Sequence, residues 1–368
     1  MRTVPFFNYP FLFKSREDDF VKIFKEIGSR GAYILQKDLL DFESNLAKFA
    51  GTKYGVGLAN GTDAIWLALM AAGIGSGDEV IFASHTYIAT ASAIHFVGAT
   101  PVPADCKPDH MIDPESVRKL ITKRTKAILP TQLNGRCCDM EALMTIAQEN
   151  KLIVLEDAAQ GLGARFKNKG IGTLDKGASI SFYPAKNLGS FGDAGGFVTN
   201  DQEMYEQVML MRDHGRNEDG IFVRWGFNSR LDNLQAAILN YKLGYYQDEI
   251  TRRREIAAYY QKNLEHLNEL LLPPAPDSDK NYFDVYQNYE IEAERRDELK
   301  IYLKENGIGT LIQWNGQPVH SITSLGFSGK GLPYTEEMFK KCLMIPMNTS
   351  LQNEDIEYVS DKILEFYQ

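Results

Sequence analysis

Between about residues 55 and 200 the chain alternates two rhythms of apolar and polar positions. Short apolar runs, "DEVIFAS" (78–84), "TPVPAD" (100–105), "KAILPTQL" (126–133), "LIVLEDAAQ" (152–160) and "ASISFYP" (178–184), read as buried strands. Residues 62–72, 86–97, 113–122 and 139–150 show helical spacing with polar faces; "DPESVRKL" opens with an Asp cap and a first-turn proline, "DMEALMTIAQEN" with a capping Asp. This order predicts a mostly parallel sheet covered by helices on both faces. Residues 202–214 and about 231–267 read as long helices. "LLPPAPDSDKN" (271–281) cannot continue a helix. It predicts a division into a large domain, 1–270, and a smaller C-terminal domain, 271–368. The latter holds a strand ("DVYQNYEIEA"), a helix (294–306), a loop region and a last helix ("NEDIEYVSDKILEFY").

Composition narrows the function classes. With 368 residues and a net charge of −9, nothing suggests a nucleic-acid partner, which calls for basic faces. The longest apolar stretch, "AIWLALMAAGIG", is too short to span a bilayer, and the start lacks the pattern of a signal peptide. Cys106, Cys137, Cys138 and Cys342 show no metal-type spacing, so no metal is expected and free thiols in a reducing cytoplasm are.

Three stretches carry candidate chemistry. In "LANGTDAIWLALM", Gly61 and Thr62 open a helix, where free N–H groups suit a phosphate, or simply a capped helix. Asp157 ends the apolar strand of "IVLEDAAQ", at the edge where open α/β sheets bind ligands; it suits a protonated ring nitrogen or a helix cap. Lys186 lies in "SFYPAKNLGSFGDAGG", between an apolar strand and a glycine-rich turn. Burial there would lower its pKa toward that of a Schiff-base nucleophile; the alternative is a lysine pairing with Asp157 or reaching solvent. Ser181 adds a hydroxyl. A phosphate cradle, a ring-nitrogen carboxylate and a lysine, in that order, are what pyridoxal phosphate needs.

With "ANGTDA", "GDEVIFASHTYIATASAI", "GATPV", "LEDAAQGLGA", "SFYPAKNLGSFGDAGGFVTND" and "GFNSRLDNLQAAIL", the chain resembles the DegT-type nucleotide-sugar aminotransferases over roughly residues 30–350. The resemblance implies a fold type I α/β architecture, with a mostly parallel seven-stranded sheet and a smaller α+β domain. It implies pyridoxal 5'-phosphate, held as pyridoxamine phosphate between half-reactions, with Lys186 as covalent anchor and proton carrier and Asp157 on the pyridine nitrogen. Gln160 would lie near the phenolic oxygen, Gly61, Thr62 and Ser181 on the phosphate, and Tyr87 over the ring. Asn228 would reach the phosphate of the neighbouring subunit in a homodimer with shared sites; its alternative is a helix cap, and that of Tyr87 a core tyrosine. The implied substrates are an amino acid donor, glutamate, and a nucleotide-linked keto-hexose.

Two stretches depart from the family pattern. Gln132 and Asn134 stand in "PTQLNG" where relatives often carry His and Tyr, and "LIQWNGQPVHSITSLGF" replaces a proline-rich loop ending in histidine. Expected substrate contacts are Gln132, Tyr183, Arg230, Gln313, Trp314 and His320. "GLANGTDA" resembles the members that aminate carbon 3; amination at carbon 4 of a 4-keto-6-deoxy sugar, or a non-catalytic regulatory homologue, are the alternatives. A dehydratase is disfavoured by Lys186, because those relatives carry histidine there.

Overall fold

The computed structural model describes residues 2–368. Its strands are β1 (Tyr54–Leu58), β2 (Glu79–Ala83), β3 (Thr100–Ala104), β4 (Thr125–Leu129), β5 (Ile153–Val154), β6 (Glu156–Asp157), β7 (Arg165–Phe166), β8 (Lys169–Gly170), β9 (Ala178–Ser181), β10 (Gly195–Thr199), β11 (Leu270–Leu271), β12 (Tyr282–Phe283), β13 (Tyr289–Ala293) and β14 (Cys342–Ile345). Its α-helices are α1 (Tyr9–Lys14), α2 (Glu17–Arg30), α3 (Lys37–Ala50), α4 (Gly61–Ala71), α5 (Ile88–Phe96), α6 (Pro114–Leu120), α7 (Met140–Asn150), α8 (Gln202–Arg212), α9 (Asn233–Leu243), α10 (Tyr246–Leu264), α11 (Arg296–Glu305), α12 (Pro333–Lys341) and α13 (Asn353–Tyr367).

Two four-stranded ladders, β1-β10-β9-β6 and β3-β2-β4-β5, are continuous, because β5 and β6 are consecutive pieces of one strand. Beyond β4 the pairing continues through a parallel Thr131–Asp157 bridge. The result is the expected mostly parallel sheet of seven strands, with β10 alone running antiparallel to its neighbours. Strand alternation builds a core on each face. Ile81 and Ile128 pack with Phe42 and Leu46 of α3 and Leu143 of α7. Val80, Phe82 and Leu129 pack with Leu67 of α4, Ile94 of α5 and Val208 of α8.

The glycine-rich stretch after Lys186 does turn, through Gly189 and Gly192, but its last glycines belong to Gly195–Thr199, a fully buried strand. Gly195 is required there: a Cβ would lie 2.2 Å from the carbonyl carbon of Asn60, so only glycine lets β10 approach the start of α4. The strand expected over 126–133 stops at Leu129, because the chain turns into a short 3-10 segment at Leu133–Gly135. That expected over 284–293 is regular only from Tyr289.

Strands β11, β13 and β14 form a separate antiparallel sheet. Its core joins Tyr289 and Ile291 to Leu299 of α11 and Val359 of α13, and also takes in Val4 and Ile256, Tyr260 and Leu264 of α10. The N-terminal segment and the end of α10 therefore pack with C-terminal residues.

Candidate active site

The site forms where the parallel strands end. The carboxyl ends of β1, β2, β6 and β9 and the loops beyond them line an open cleft of about 510 Å³. It collects Gly61, Thr62, Tyr87, Asp157, Gln160, Ser181, Tyr183, Lys186, Gln313 and Trp314, ten positions scattered over 254 residue numbers.

At the head of α4, the side chain of Asn60 caps Asp63 N–H at 2.8 Å and its carbonyl accepts from Ala64 N–H. No acceptor among the described residues meets Gly61 N–H or Thr62 N–H, so both are free for an anion. Ser181 sits against them: a Cβ at Gly61 would lie 2.7 Å from Ser181 Cβ and 3.3 Å from its Oγ.

Lys186 is half-buried, and no side chain among the described residues hydrogen-bonds its amine. Burial pulls its pKa down to about 8, against the opposing pull of the Asp157 charge. The backbone on both sides is fastened by one residue that the sequence analysis missed. Gln287 donates to Ala185 O at 2.8 Å and accepts from Asn187 N–H at 2.7 Å.

Asp157 is buried, which raises its pKa; hydrogen bonds from Thr90 (2.6 Å) and Ala159 N–H (3.1 Å), and the charge of Lys186, oppose that rise. Thr90 was also missed. Tyr87 keeps 57% of its surface exposed and tilts against Trp314, with ring centroids 5.4 Å apart. Gln160 Oε1 accepts from Asn134 N–H at 2.8 Å. Asn134 in turn takes hydrogen bonds on its Oδ1 from Asn288 (2.8 Å) and Gln313 (2.5 Å), so this departure from the family pattern ties the cleft wall together.

Four expected site residues lie elsewhere. Gln132 is fully buried; its amide donates to Glu156 at 2.6 Å and its Oε1 accepts from Cys138 N–H, which turns it away from the cleft. The carboxyl of Glu156 is pushed up to about 7 by burial, against the hydrogen bonds it accepts from Gln132 and Gly172 N–H. His320 is buried with Nδ1 2.6 Å from Ser84 Oγ. Neither Gln132 nor His320 lines the cleft described above. Arg230 pairs with Asp213 at 3.0 Å, and exposed Asn228 lies in the segment leading to it. That segment carries Ile221, Phe222, Val223 and Trp225, the last 94% exposed. All four cysteines are free and buried. His85, His110 and Glu290 bring donor atoms within 4.8 Å of one another, a cluster that cysteine spacing could not reveal.

The residues fit pyridoxal phosphate: two free N–H groups beside a hydroxyl for the phosphate, a buried carboxylate for the ring nitrogen, and an unpartnered amine of lowered pKa between them. Fold and site together define a fold type I aminotransferase. The sequence profile of the DegT/DnrJ/EryC1/StrS aminotransferase family matches residues 14–364, and the chain belongs to that family. It is 40% identical to a dTDP-3-amino-3,4,6-trideoxy-alpha-D-glucose transaminase of Streptomyces venezuelae, over 91% of this chain and 89% of that one. It is 39% identical to a protein of Geobacillus stearothermophilus named as a pleiotropic regulatory protein, over 99% of each. The solved structure of S. venezuelae DesV in complex with a ketimine intermediate superposes with a TM-score of 0.96 at 36% identity, covering 100% of this chain and 99% of that one. The cofactor is pyridoxal phosphate, with its amino form in the other half-reaction. No helix among the described residues is long and apolar enough to cross a membrane.

Proposed function

We propose that the chain transfers an amino group from glutamate to the C3 keto group of a nucleotide-linked hexose, in the biosynthesis of amino sugars for lipopolysaccharide or another glycan. One observation carries the chemistry: Lys186, Asp157 and the open head of α4 share one cleft. The name of the S. venezuelae relative supports carbon 3.

When bound, the cofactor supplies an electron sink for the bonds around the reacting carbon. Asp157 holds the proton on the ring nitrogen. Lys186 Nζ, half-buried and of lowered pKa, would carry the proton between the donor's α-carbon and the cofactor in the first half-reaction, and between the cofactor and the sugar carbon in the second. Gly61 and Thr62 N–H groups and Ser181 Oγ anchor the phosphate. Tyr87 would shield the ring and the reacting carbon from water, and Trp314 would contact the keto-sugar.

The working form is a homodimer in which Asn228 enters the neighbouring subunit's cleft. Support comes from the exposed apolar segment that bears it and from its distance in sequence from Lys186. Four free thiols support a cytoplasmic setting. The name of the G. stearothermophilus relative favours a second reading, a cofactor-binding regulator.

The test is a spectrum of the purified protein before and after glutamate, then matched 3-keto and 4-keto nucleotide sugars, with the aminated carbon located by NMR. Conversion of the cofactor and a 3-amino product support the proposal. Turnover of the 4-keto sugar alone overturns the position, and no response to any donor supports the regulator.

A further inference from the structure

Behind the cleft wall lies a buried polar chain that the chemistry above does not use. Trp314 Nε1 is 3.2 Å from His85 Nδ1, and His85 Nε2 is 2.9 Å from Glu290 Oε2. The same carboxylate oxygen meets His110 Nδ1 at 2.9 Å and Asn134 Nδ2 at 3.0 Å, and His110 Nε2 lies 3.2 Å from Glu292 Oε1. An indole N–H can only donate, so His85 Nδ1 accepts and its single proton sits on Nε2, facing Glu290. His110 has a carboxylate at each nitrogen and is doubly protonated. The indole N–H and the ring N–H groups of both histidines therefore point at acceptors, and the contacts of Glu290 all fall on Oε2, Oε1 having no partner among the described residues. The His85 ring is further held edge-on by Phe339, with centroids 4.8 Å apart.

Trp314 needs such a hold. Its backbone is left-handed (φ 50°), as are Asn315 (φ 54°) and Gly316 (φ 73°). That conformation is rare for a bulky residue and persists where the surroundings impose it. Here His85 takes the indole N–H, Tyr87 packs on the ring, and the neighbouring Gln313 amide is fixed by Asn134.

We propose that His85 is a positioning residue for the acceptor half-reaction: it fixes the indole of Trp314 as the flat wall on which the keto-sugar ring lies. A sugar ring presents a face of C–H groups that suits an aromatic surface, whereas a small amino acid donor reaches the amine of Lys186 without that wall. Glu290 fixes the proton of His85, and so orients the clamp from the C-terminal sheet. The kinetic part of this inference rests on the nucleotide-sugar reading; the clamp itself does not.

The test uses the holoenzyme with three variants. His85→Phe keeps the packing against Phe339 and removes the acceptor. His85→Asn retains an acceptor near the Nδ1 position. Trp314→Phe assigns the Trp314 indole signal among those of the three tryptophans in a ¹H–¹⁵N spectrum. In folded His85→Phe the assigned indole signal should shift and exchange with water about tenfold faster, as expected for one lost hydrogen bond. KM for the keto-sugar should rise about tenfold, with cofactor conversion by glutamate staying within about twofold. His85→Asn should recover most of both losses. An unmoved indole signal in His85→Phe overturns the clamp. Donor and acceptor steps falling together in a folded variant overturn the assignment to the acceptor side. If the wild type aminates no keto-sugar, the function reading fails separately, and the indole signal still decides the clamp.

Discussion

Thr90 Oγ1 donates a 2.6 Å hydrogen bond to Asp157 Oδ2 from the first turn of α5. It ends a chain of hydroxyls in which Thr131 donates to Thr86 at 3.0 Å and Thr86 to Thr90 at 2.7 Å. Burial opposes the charge on Asp157, and this chain restores it where a ring nitrogen would be held protonated. Asp157→Asn should slow cofactor conversion by glutamate at least about 100-fold, and Thr90→Val by about tenfold, in stopped-flow absorbance. Near-normal turnover in Asp157→Asn would sink the assignment.

Lys186 should capture the cofactor in a pH-dependent way. Its folded pKa is about 8 against an ordinary 10.5. Between those values the unfolded chain holds the extra proton, so the cofactor-free protein gains stability as pH rises from about 8 toward 10.5. Lys186→Met should flatten that rise in thermal melts. The rate at which the cofactor-free chain captures pyridoxal phosphate should climb through about pH 8. After borohydride reduction and digestion the label should sit on Lys186; a label on another lysine refutes the anchor.

Gly61→Ala places a methyl group 2.7 Å from Ser181 Cβ. Overpacking at such contacts costs about 1–3 kcal/mol. Cofactor retention on dialysis should fall about tenfold or more, with a lower melting temperature. Unchanged retention would show that the phosphate lies elsewhere.

His110 bridges Glu290 and Glu292; burial disfavours its charge, but the two carboxylates outweigh it and raise the pKa from 6.5 to about 9. Its contribution to stability is therefore complete below about pH 6.5 and lost as pH rises through 9. The gap in melting temperature between wild type and His110→Gln should be widest near pH 6 and close above pH 9. A gap that is constant across this range contradicts the charged bridge.

Asn228 should act across the dimer. An inactive Asn228→Ala chain mixed with Lys186→Ala should regain up to about a quarter of wild-type activity, since random pairing makes half the dimers mixed, with one intact site each. No recovery, with subunit exchange demonstrated by mass, would argue for self-contained sites.

The sequence by itself determined the elements that rest on local chemistry. Short apolar runs and capping Asp residues placed most strands and helices of the large sheet, and strand ends followed by Gly61, Asp157 and Lys186 marked the cofactor side. Those positions need only a strand, a turn and the edge of an open sheet, all local properties. Tertiary structure decided which side chains meet. Gln132 and His320, polar residues in unusual loops, read as substrate contacts, yet neither lines the cleft: Glu156, 24 positions away, and Ser84, 236 positions away, hydrogen-bond them inside the fold. Thr90, Gln287 and His85 carried no signal, because their hydrogen bonds to Asp157, to the Lys186 loop and to Trp314 span 67, about 100 and 229 positions. The β10 strand escaped notice for a related reason: its glycines answer to the approach of Asn60 across the sheet, a requirement that exists only once the chain has folded.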